Sequence, residues 1–495
     1  MLALLMEAAQ PADIDLMGSV AAPGALLLSA DSRLAAVTLE AVYILAIPAV
    51  EGRRWWALPL AAGMAWGDGR LGVAAPAPRK RAAASAFALK SAGTSKQAKA
   101  SREAVRFRSA AWSPVGAAGC MLACCAADGS VVVYGEVPAD GAESLPELPA
   151  ALDVTALVLE HLAGTSYRLD AAQPPAARCR EADGAAGGHL APAFAEGAKE
   201  RRPHLWDDEA DEFVRRKELA TARSIAWSPV LSGAGAPHSV LAVGTLSALV
   251  LLRRGHGAPG GSAAGAEAGA ELEVAAAAGL PADMAQLGAV EWLASAPDSA
   301  RPRLATGSCT GSVWVWEMKR GRTTSLAPVL RVLPPGAGPV TLLSAPPRFE
   351  AGELASPVLA IARGGRVLVW EIGGREIGGS AADHGGCRSF ECGALGAGGL
   401  VWRKGQAPAA RPSLLLAGLD GGLGTLAADA QGELQKAQAP VLAAGAPGRS
   451  APLHGVAALA SGSQVIVLAK LQIAAKAPDL FRKSFKCRLA TLADK

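Results

Sequence analysis

The chain has 495 residues, 51% of them hydrophobic but only 4% aromatic, with 57 Gly, 33 Pro and a formal net charge of +4. That length exceeds one ordinary core, so several domains or one large repeat-built domain is expected, and so small a net charge excludes a whole-surface field that would draw in nucleic acid. No run of about eighteen residues is both strongly apolar and free of breakers, which excludes a spanning helix, and the apolar start (MLALLMEAAQPADID) lacks the basic region of a signal peptide.

Residues 25–47 (ALLLSADSRLAAVTLEAVYILAI) read as a strand, a turn at Asp31-Ser32, and two more strands over residues 34–38 and 41–45. Trp55, Trp56 and Trp66 come next, in a stretch with no clear period. Residues 74–102 are Ala, Ser, Pro, Lys and Arg with almost no acid, cannot bury enough to order themselves, and are expected to be disordered. Two readings of that segment stand: a solvated surface loop, or a flexible nucleic-acid contact or import signal centred on Arg79, Lys80 and Arg81, with Lys90, Lys96 and Lys99 behind them.

The most informative stretch begins after these. A short strand ends at Trp112, Ser113-Pro114 breaks it, an apolar run covers Cys120 to Cys125, and Asp128-Gly129 separates it from a strand over Val131 to Tyr134. Asp-Gly between two strands predicts a two-residue hairpin turn with positive φ. Cys120, Cys124 and Cys125 read as buried thiols acting as small hydrophobes, and eight cysteines without a framework fit a reducing compartment. Residues 153–163 look like a further strand, and the Pro/Ala/Gly-rich residues 170–200 are expected to be disordered. Residues 204–222 have helical spacing with Trp206, Phe213 and Leu219 on one face, and the run Asp207, Asp208, Glu209, Asp211, Glu212 reads as a solvated first turn rather than a hard-cation site.

The three-strand pattern then returns over Ser224–Leu252, over Gly288–Trp316, over Val340–Trp370 with Gly364-Gly365 as its turn, over 399–426 and over 454–468. Units begin near residues 26, 105, 220, 288, 338, 400 and 454. A unit this small cannot bury its own face, and short antiparallel sheets stacked radially solve that by closing into a ring. The expected fold is therefore all-β, a propeller over residues 20–470 with seven blades, six or eight also fitting the spacing. Residues 471–495 read as a basic tail carrying Arg482, Lys483 and Lys486.

Trp112, Trp227, Trp292, Trp316 and Trp370 fall at recurring places in these units and are read as structural blade anchors. Ser113-Pro114 and Ser228-Pro229 directly succeed two of them; a phosphosite is one reading, but Pro ending a strand by removing a donor is the stronger one. His384, Cys387 and Cys392 are the local metal-like group, yet structural zinc wants four ligands in paired short spacings and the fourth is missing. Paired glycines are turns, since no Gly-Lys-Ser/Thr comes after them, and no Ser-His-Asp or Cys-His arrangement can be placed. No catalytic residue, metal, cofactor, membrane or small-molecule substrate is expected.

The rhythm Trp-Ser-Pro, Leu-Ala-x-Gly-Thr/Ser, Gly-x-Val-x-Val-Trp resembles WD40-type propeller repeats. Within that group, FRSAAWSPVGAAGCMLACCAADGSVVVY (Phe107–Tyr134) and DSRLAAVTLEAVYIL (Asp31–Leu45) resemble the second-blade and early blocks of the delta-type subunit of general transcription factor IIIC, in its amino-terminal region. The charged segment running into a blade, FVRRKELATARSIAWSPV with SVLAVGTLSALV (Phe213–Val250), is similar to that family as well. The resemblance implies a nuclear scaffold subunit bridging promoter-bound subunits to the polymerase-recruiting factor for RNA polymerase III genes, tRNA and 5S rRNA among them. It also implies, from an animal relative, histone acetyltransferase activity, for which no acetyl-CoA-binding loop is found, and a carboxy-terminal zinc-binding region, whose Cys and His cluster is not found after Cys487. Any DNA contact is expected to be weak and sequence-independent, through the basic residues named above. A WD40 scaffold of another intracellular complex, a trafficking or ubiquitin-ligase adaptor, is the alternative.

Overall fold

Strands of five to seven residues with glycine turns between them pair most readily with their neighbours in sequence, and the computed structural model of the chain is built that way. It describes residues 14–17, 20, 22–30, 33–39, 42–46, 107–114, 120–127, 129–137, 152–164, 221–231, 238–254, 272–294, 301–320, 324–336, 338–346, 358–371, 387–392, 395–403, 413–428, 434–437, 451–458, 464–470 and 486–493. Strand β1 is Ile14–Met17. The first sheet is β2 (Leu26–Leu28), β3 (Arg33–Val37) and β4 (Val42–Ala46). The second is β5 (Phe107–Trp112), β6 (Cys120–Ala126), β7 (Val131–Val137) and β8 (Leu152–Asp153), after which comes helix α1 (Thr155–Gly164). The third is β9 (Ala222–Trp227), β10 (Val240–Thr245), β11 (Ala248–Arg254) and β12 (Leu272–Gly279). The fourth is β13 (Leu287–Trp292), β14 (Arg303–Ser308), β15 (Val313–Lys319) and β16 (Ser325–Leu333). The fifth is β17 (Val340–Ser344), β18 (Val358–Arg363), β19 (Arg366–Glu371) and β20 (Cys387–Glu391). The sixth is β21 (Ala397–Arg403), β22 (Ser413–Gly418), β23 (Leu423–Ala428) and β24 (Leu434–Ala437). The last is β25 (Leu453–Ala458), β26 (Gln464–Lys470) and β27 (Lys486–Ala493), with β1 added at its outer edge.

The architecture is thus all-β and propeller-like: six four-stranded antiparallel sheets and one three-stranded sheet among the described residues. The innermost strands close a circle, because β2 packs on β5, β5 on β9, β9 on β13, β13 on β17, β17 on β21, β21 on β25 and β25 on β2. The ends of the chain meet at the seam, where β1 pairs antiparallel with β27, Leu16 opposite Cys487. Strand β27 lies inside the segment expected from sequence to be a tail, and β1 precedes the expected boundary at residue 20. Neither strand carries a repeat signal of its own; β27 pairs with β26, its neighbour in sequence, and β1 finds β27 only across the whole length of the chain.

Sheets stacked face to face bury both faces of their strands, so the alternation typical of a one-sided sheet disappears. In β6 every residue is buried. Leu122 and Cys124 point into the core shared with the first sheet, while Met121, Ala123 and Cys125 point into the core shared with the third. The three cysteines are buried thiols in no disulfide, and burial pushes the Cys124 thiol up, away from ionisation. Corresponding clusters fill the later junctions, from Leu249 with Trp316 to Leu415 with Val467. Small residues line the places where inner strands come closest. A Cβ on Gly455 would strike the backbone of Leu26, and one on Gly398 the carbonyl of Leu453. Gly288 and Gly307 approach Val340 of the next sheet in the same way.

Six inner strands carry the same irregularity one residue after their start, between Phe107 and Ser109, Ala222 and Ser224, Leu287 and Ala289, Val340 and Leu342, Ala397 and Gly399, and Leu453 and Gly455. A bulge bends its strand and raises the local twist, and its repetition turns each sheet relative to the next.

Two local expectations give way. Residues 153–163 are not a strand beyond Asp153; Thr155–Gly164 is helical, because Val154, Val158 and Leu162 at four-residue spacing lie on the apolar core between the second and third sheets. The hairpin at Asp128-Gly129 is also one residue longer than a two-residue turn. Ala126 bonds to Ser130, and Gly129 N–H donates to Ala126 O, with φ +81° at Gly129. The same pattern recurs at Ser308–Ser312 and Gly418–Gly422. In the last of these only Gly421 (φ +87°), and not Asp420, is left-handed, so Asp supplies an ordinary turn position and Gly alone the special one.

Candidate functional site

Propellers offer two loop faces and a rim. Here the turns between second and third strands, together with the entries to the inner strands, lie at one end; call it the turn face. The opposite end carries the Trp-Ser-Pro segments.

At that opposite end the two Ser-Pro motifs make one repeated device. Ser228 Oγ accepts from Val240 N–H at 2.8 Å and donates to Pro229 O at 2.8 Å. Ser113 Oγ accepts from Met121 N–H at 2.7 Å and donates to Pro114 O at 2.9 Å. Both serines also bond their backbone N–H across the hairpin, to Val240 O and Met121 O. Ser228 is fully buried and Ser113 nearly so. Each hydroxyl accepts from the facing N–H where the serine's own carbonyl would do so in a regular antiparallel pair, and so completes the ladder at the strand end.

The tryptophans expected to anchor the blades are placed by the same register. Trp112, Trp227 and Trp292 sit opposite Leu122, Leu241 and Leu304. Trp227 and Trp292 are buried, while Trp112 is half-buried against the core of the first two sheets. Trp316 and Trp370 occupy the third strands, opposite Leu304 and Leu359. Trp316 is completely buried and Trp370 nearly so. Their polar edges differ in use. Trp292 Nε1 donates 3.2 Å to Ala226 O of the preceding sheet. Trp402, which the sequence pattern alone does not single out, makes the equivalent 3.0 Å bond to Ser344 O. Its signal was available: Trp402 stands opposite Leu414, as Trp292 stands opposite Leu304. Trp316 Nε1 donates 2.7 Å to Thr306 Oγ1, whose hydroxyl reaches Met284 Sδ at 3.7 Å. The indole N–H groups of Trp112 and Trp227 are buried with no acceptor among the described residues.

Charged groups at the junctions are few among the described residues. Glu291, half-buried, accepts from Ala345 N–H at 3.3 Å across the fourth and fifth sheets. Desolvation pushes its carboxyl up to about 7, against the opposing pull of that hydrogen bond. Glu317, 5% exposed, is met by Arg303 and Arg301 at 3.3 and 3.4 Å. On the turn face Asp283 accepts from Trp314 Nε1 at 3.0 Å and lies 3.6 Å from Arg331.

Of the metal-like group, Cys387 and Cys392 face different cores, one shared with the fourth sheet and one with the sixth, so strand geometry separates them. Burial pushes Cys387 up to about 11 and raises Cys392. His384 lies outside the described residues. So do Arg79, Lys80, Arg81, Lys90, Lys96, Lys99, Arg482, Lys483, residues 74–102 and 170–200, and the acidic run 207–212; Lys486 begins β27, opposite Met17. Among the described residues no three His, Cys, Asp or Glu stand close enough to hold a metal ion, and no helix is long and apolar enough to cross a membrane. An open cleft of about 290 Å³ lies between the fifth and sixth sheets, bounded by Glu391, Cys392, Asp420 and Lys436.

The chain is an all-β propeller-like protein, with no group of His, Cys, Asp or Glu placed to hold a metal ion among its described residues. No family model and no curated protein matches it. Among solved structures it is similar to a chain of "Crystal Structure of Mitotic Checkpoint Complex", at 13% identity and a TM-score of 0.43, covering 98% of this chain and 91% of that one.

Proposed function

We propose that the protein is a non-catalytic scaffold, a seven-bladed WD40-type propeller in which the three-stranded first sheet counts as a full blade. The observation that carries this reading is the ring itself: seven antiparallel sheets among the described residues, whose inner strands pack one on the next in a closed circle. Rigid loop faces of that kind bind by surface complementarity. Fold alone does not fix what is bound.

The fold fits a scaffold in any intracellular assembly, a trafficking or ubiquitin-ligase adaptor included, and this broader reading has the firmer support. The narrower one, a subunit of transcription factor IIIC bridging promoter-bound subunits to the polymerase-recruiting factor in the nucleus, is supported by the residues of Asp31–Leu45, Phe107–Tyr134 and Phe213–Val250. On the narrower reading DNA contact is weak and sequence-independent, through Arg79, Lys80, Arg81, Lys90, Lys96, Lys99, Arg482, Lys483 and Lys486. Each phosphate contact then steepens the salt dependence by about one unit of slope. The acetyltransferase activity of the resemblance has no carrier among the described residues. Affinity purification of the tagged chain from its own cells, with mass spectrometry of the co-purifying proteins, tests the proposal. Subunits of the polymerase III factor support the narrower reading, and a different stable assembly supports only the broader one. A chain that purifies alone while turning over a small molecule overturns both.

A further inference from the structure

The turn face at the junction of the fourth and fifth sheets holds a cation that no described residue neutralises. Arg363 ends β18 and faces Arg366 across the Gly364-Gly365 turn. Its side chain is half-buried, and its guanidinium lies over Gly311 and Gly336. A Cβ on Gly311 would come within 2.8 Å of its Nε, and one on Gly336 would overlap a terminal nitrogen. Only glycine leaves that space.

Four arginines elsewhere are met by carboxylates: Arg253 by Glu273, Arg301 and Arg303 by Glu317, Arg331 by Asp283. The Arg363 side chain makes no hydrogen bond or ion pair among the described residues. Burial alone lowers its pKa, and no described carboxylate works against that shift. A half-buried guanidinium held in place by the fold, with no described carboxylate facing it, is open to an anionic ligand.

The surroundings say which kind. Arg366 is exposed. Leu395, 65% exposed, rides on the neighbouring loop, where a Cβ on Gly396 would touch Gly364 O at 2.8 Å. Pro335 and Pro339, both exposed, flank the other side. Glu391, also exposed, stands opposite Arg366 in the sheet and works against a dense polyanion such as DNA. The patch offers two guanidinium groups amid apolar side chains. We propose that Arg363 and Arg366, with Leu395 beside them, form a docking site for a short acidic, leucine-bearing peptide segment of a partner protein, one of whose carboxylates takes the bidentate place at Arg363. The proposal rests on the scaffold reading and names the chemistry of one contact within it.

The test uses the full chain and fluorescence anisotropy with a labelled synthetic peptide alternating Asp and Leu. An otherwise identical peptide with Asn for Asp, and a short DNA duplex, are the comparison probes. The acidic peptide binds, salt weakens it, and the Asn peptide does not bind. Arg363→Gln weakens binding by about tenfold or more, as loss of one desolvated charge pair should. It leaves the thermal midpoint unchanged or raised, because it removes an unpaired charge; an arginine with a structural role would lower that midpoint. Gly336→Ala keeps the charge but displaces the guanidinium, and weakens the peptide as well. Equal peptide binding by wild type and Arg363→Gln overturns the site, and so does a duplex affinity that Arg363→Gln removes while the peptide is unaffected. Peptide binding that persists in a chain recovering no protein partner from cells would remove the scaffold reading and leave the site standing.

Discussion

Replacing Ser228 by Ala tests the repeated Ser-Pro device at its most buried copy. The hydroxyl is fully buried and holds two bonds of 2.8 Å, one from Val240 N–H and one to Pro229 O. Alanine fits the space and adds no strain, so the change isolates the polar effect. Val240 is 1% exposed, and water cannot reach the orphaned N–H. A buried donor left without an acceptor costs about 1–3 kcal/mol. The free energy of unfolding in guanidinium should fall by that amount, seen as a lower midpoint with an unchanged slope, since the surface exposed on unfolding is the same. Ser113→Ala should behave alike, because Met121 N–H loses the same partner. Pro229→Ala is the control: the carbonyl that Ser228 bonds remains, and the loss is confined to about 0.4–1 kcal/mol of unfolded-state entropy. Ser228→Ala and Ser113→Ala both within ~0.5 kcal/mol of wild type, the ordinary range for surface changes, would refute the reasoning. By the same burial, a proline-directed kinase acting on the folded chain should leave both serines unmodified.

Trp316→Phe and Thr306→Val each break the 2.7 Å indole-to-hydroxyl bond between β15 and β14. Their effects should fall short of additivity, with a coupling of about 0.5–3 kcal/mol in a double-mutant cycle of unfolding midpoints. Glu291 supplies a pH signature. Its folded pKa, about 7, lies above the ordinary carboxylate value of 4.5, so the folded state holds the proton more tightly and stability falls as pH rises from about 4.5 to about 7. Glu291→Gln should flatten that stretch of the stability–pH curve, and an unchanged slope would contradict it. Gly311→Ala should destabilise by about 1–3 kcal/mol, because the residue sits at φ +85° and the added Cβ meets Gly338 O at 2.7 Å; thermal melts of the purified variant decide.

The repeat was legible wherever a strand alternates with a glycine turn. Unit starts read near 26, 105, 220, 288, 338, 400 and 454 correspond to inner strands beginning at Leu26, Phe107, Ala222, Leu287, Val340, Ala397 and Leu453. Outer strands were harder. β12 (LEVAAAAG) and β20 (CRSFE) have one exposed side and weak β-formers, so their pairing comes from the sheet edge they complete. Helix α1 hid as a strand because TALVLEHLAG is apolar on both readings, and only the core beneath it selects the four-residue period. Arg363 was passed over because a sequence places Arg-Gly-Gly-Arg at a turn without revealing that Gly311 and Gly336, from other loops, cradle the side chain. Closing into a ring was expected, but the β1–β27 pair at the seam was illegible for a similar reason, since four residues near one end and eight near the other have no local reason to pair.

Closure is also what makes the chain one rigid platform, and it is read most directly by a covalent link across the seam. Leu16 lies opposite Cys487 in the β1–β27 pair. Antiparallel partners stand about 4.5–5.5 Å apart at Cα, within the span a disulfide accepts. Leu16→Cys in the full chain, mildly oxidised and then digested, should yield the disulfide-linked peptide pair containing positions 16 and 487 as the main new species. It should also unfold at higher denaturant than its reduced form. An oxidised variant in which Cys487 stays free, or pairs only between molecules, would contradict a ring sealed by its own two ends.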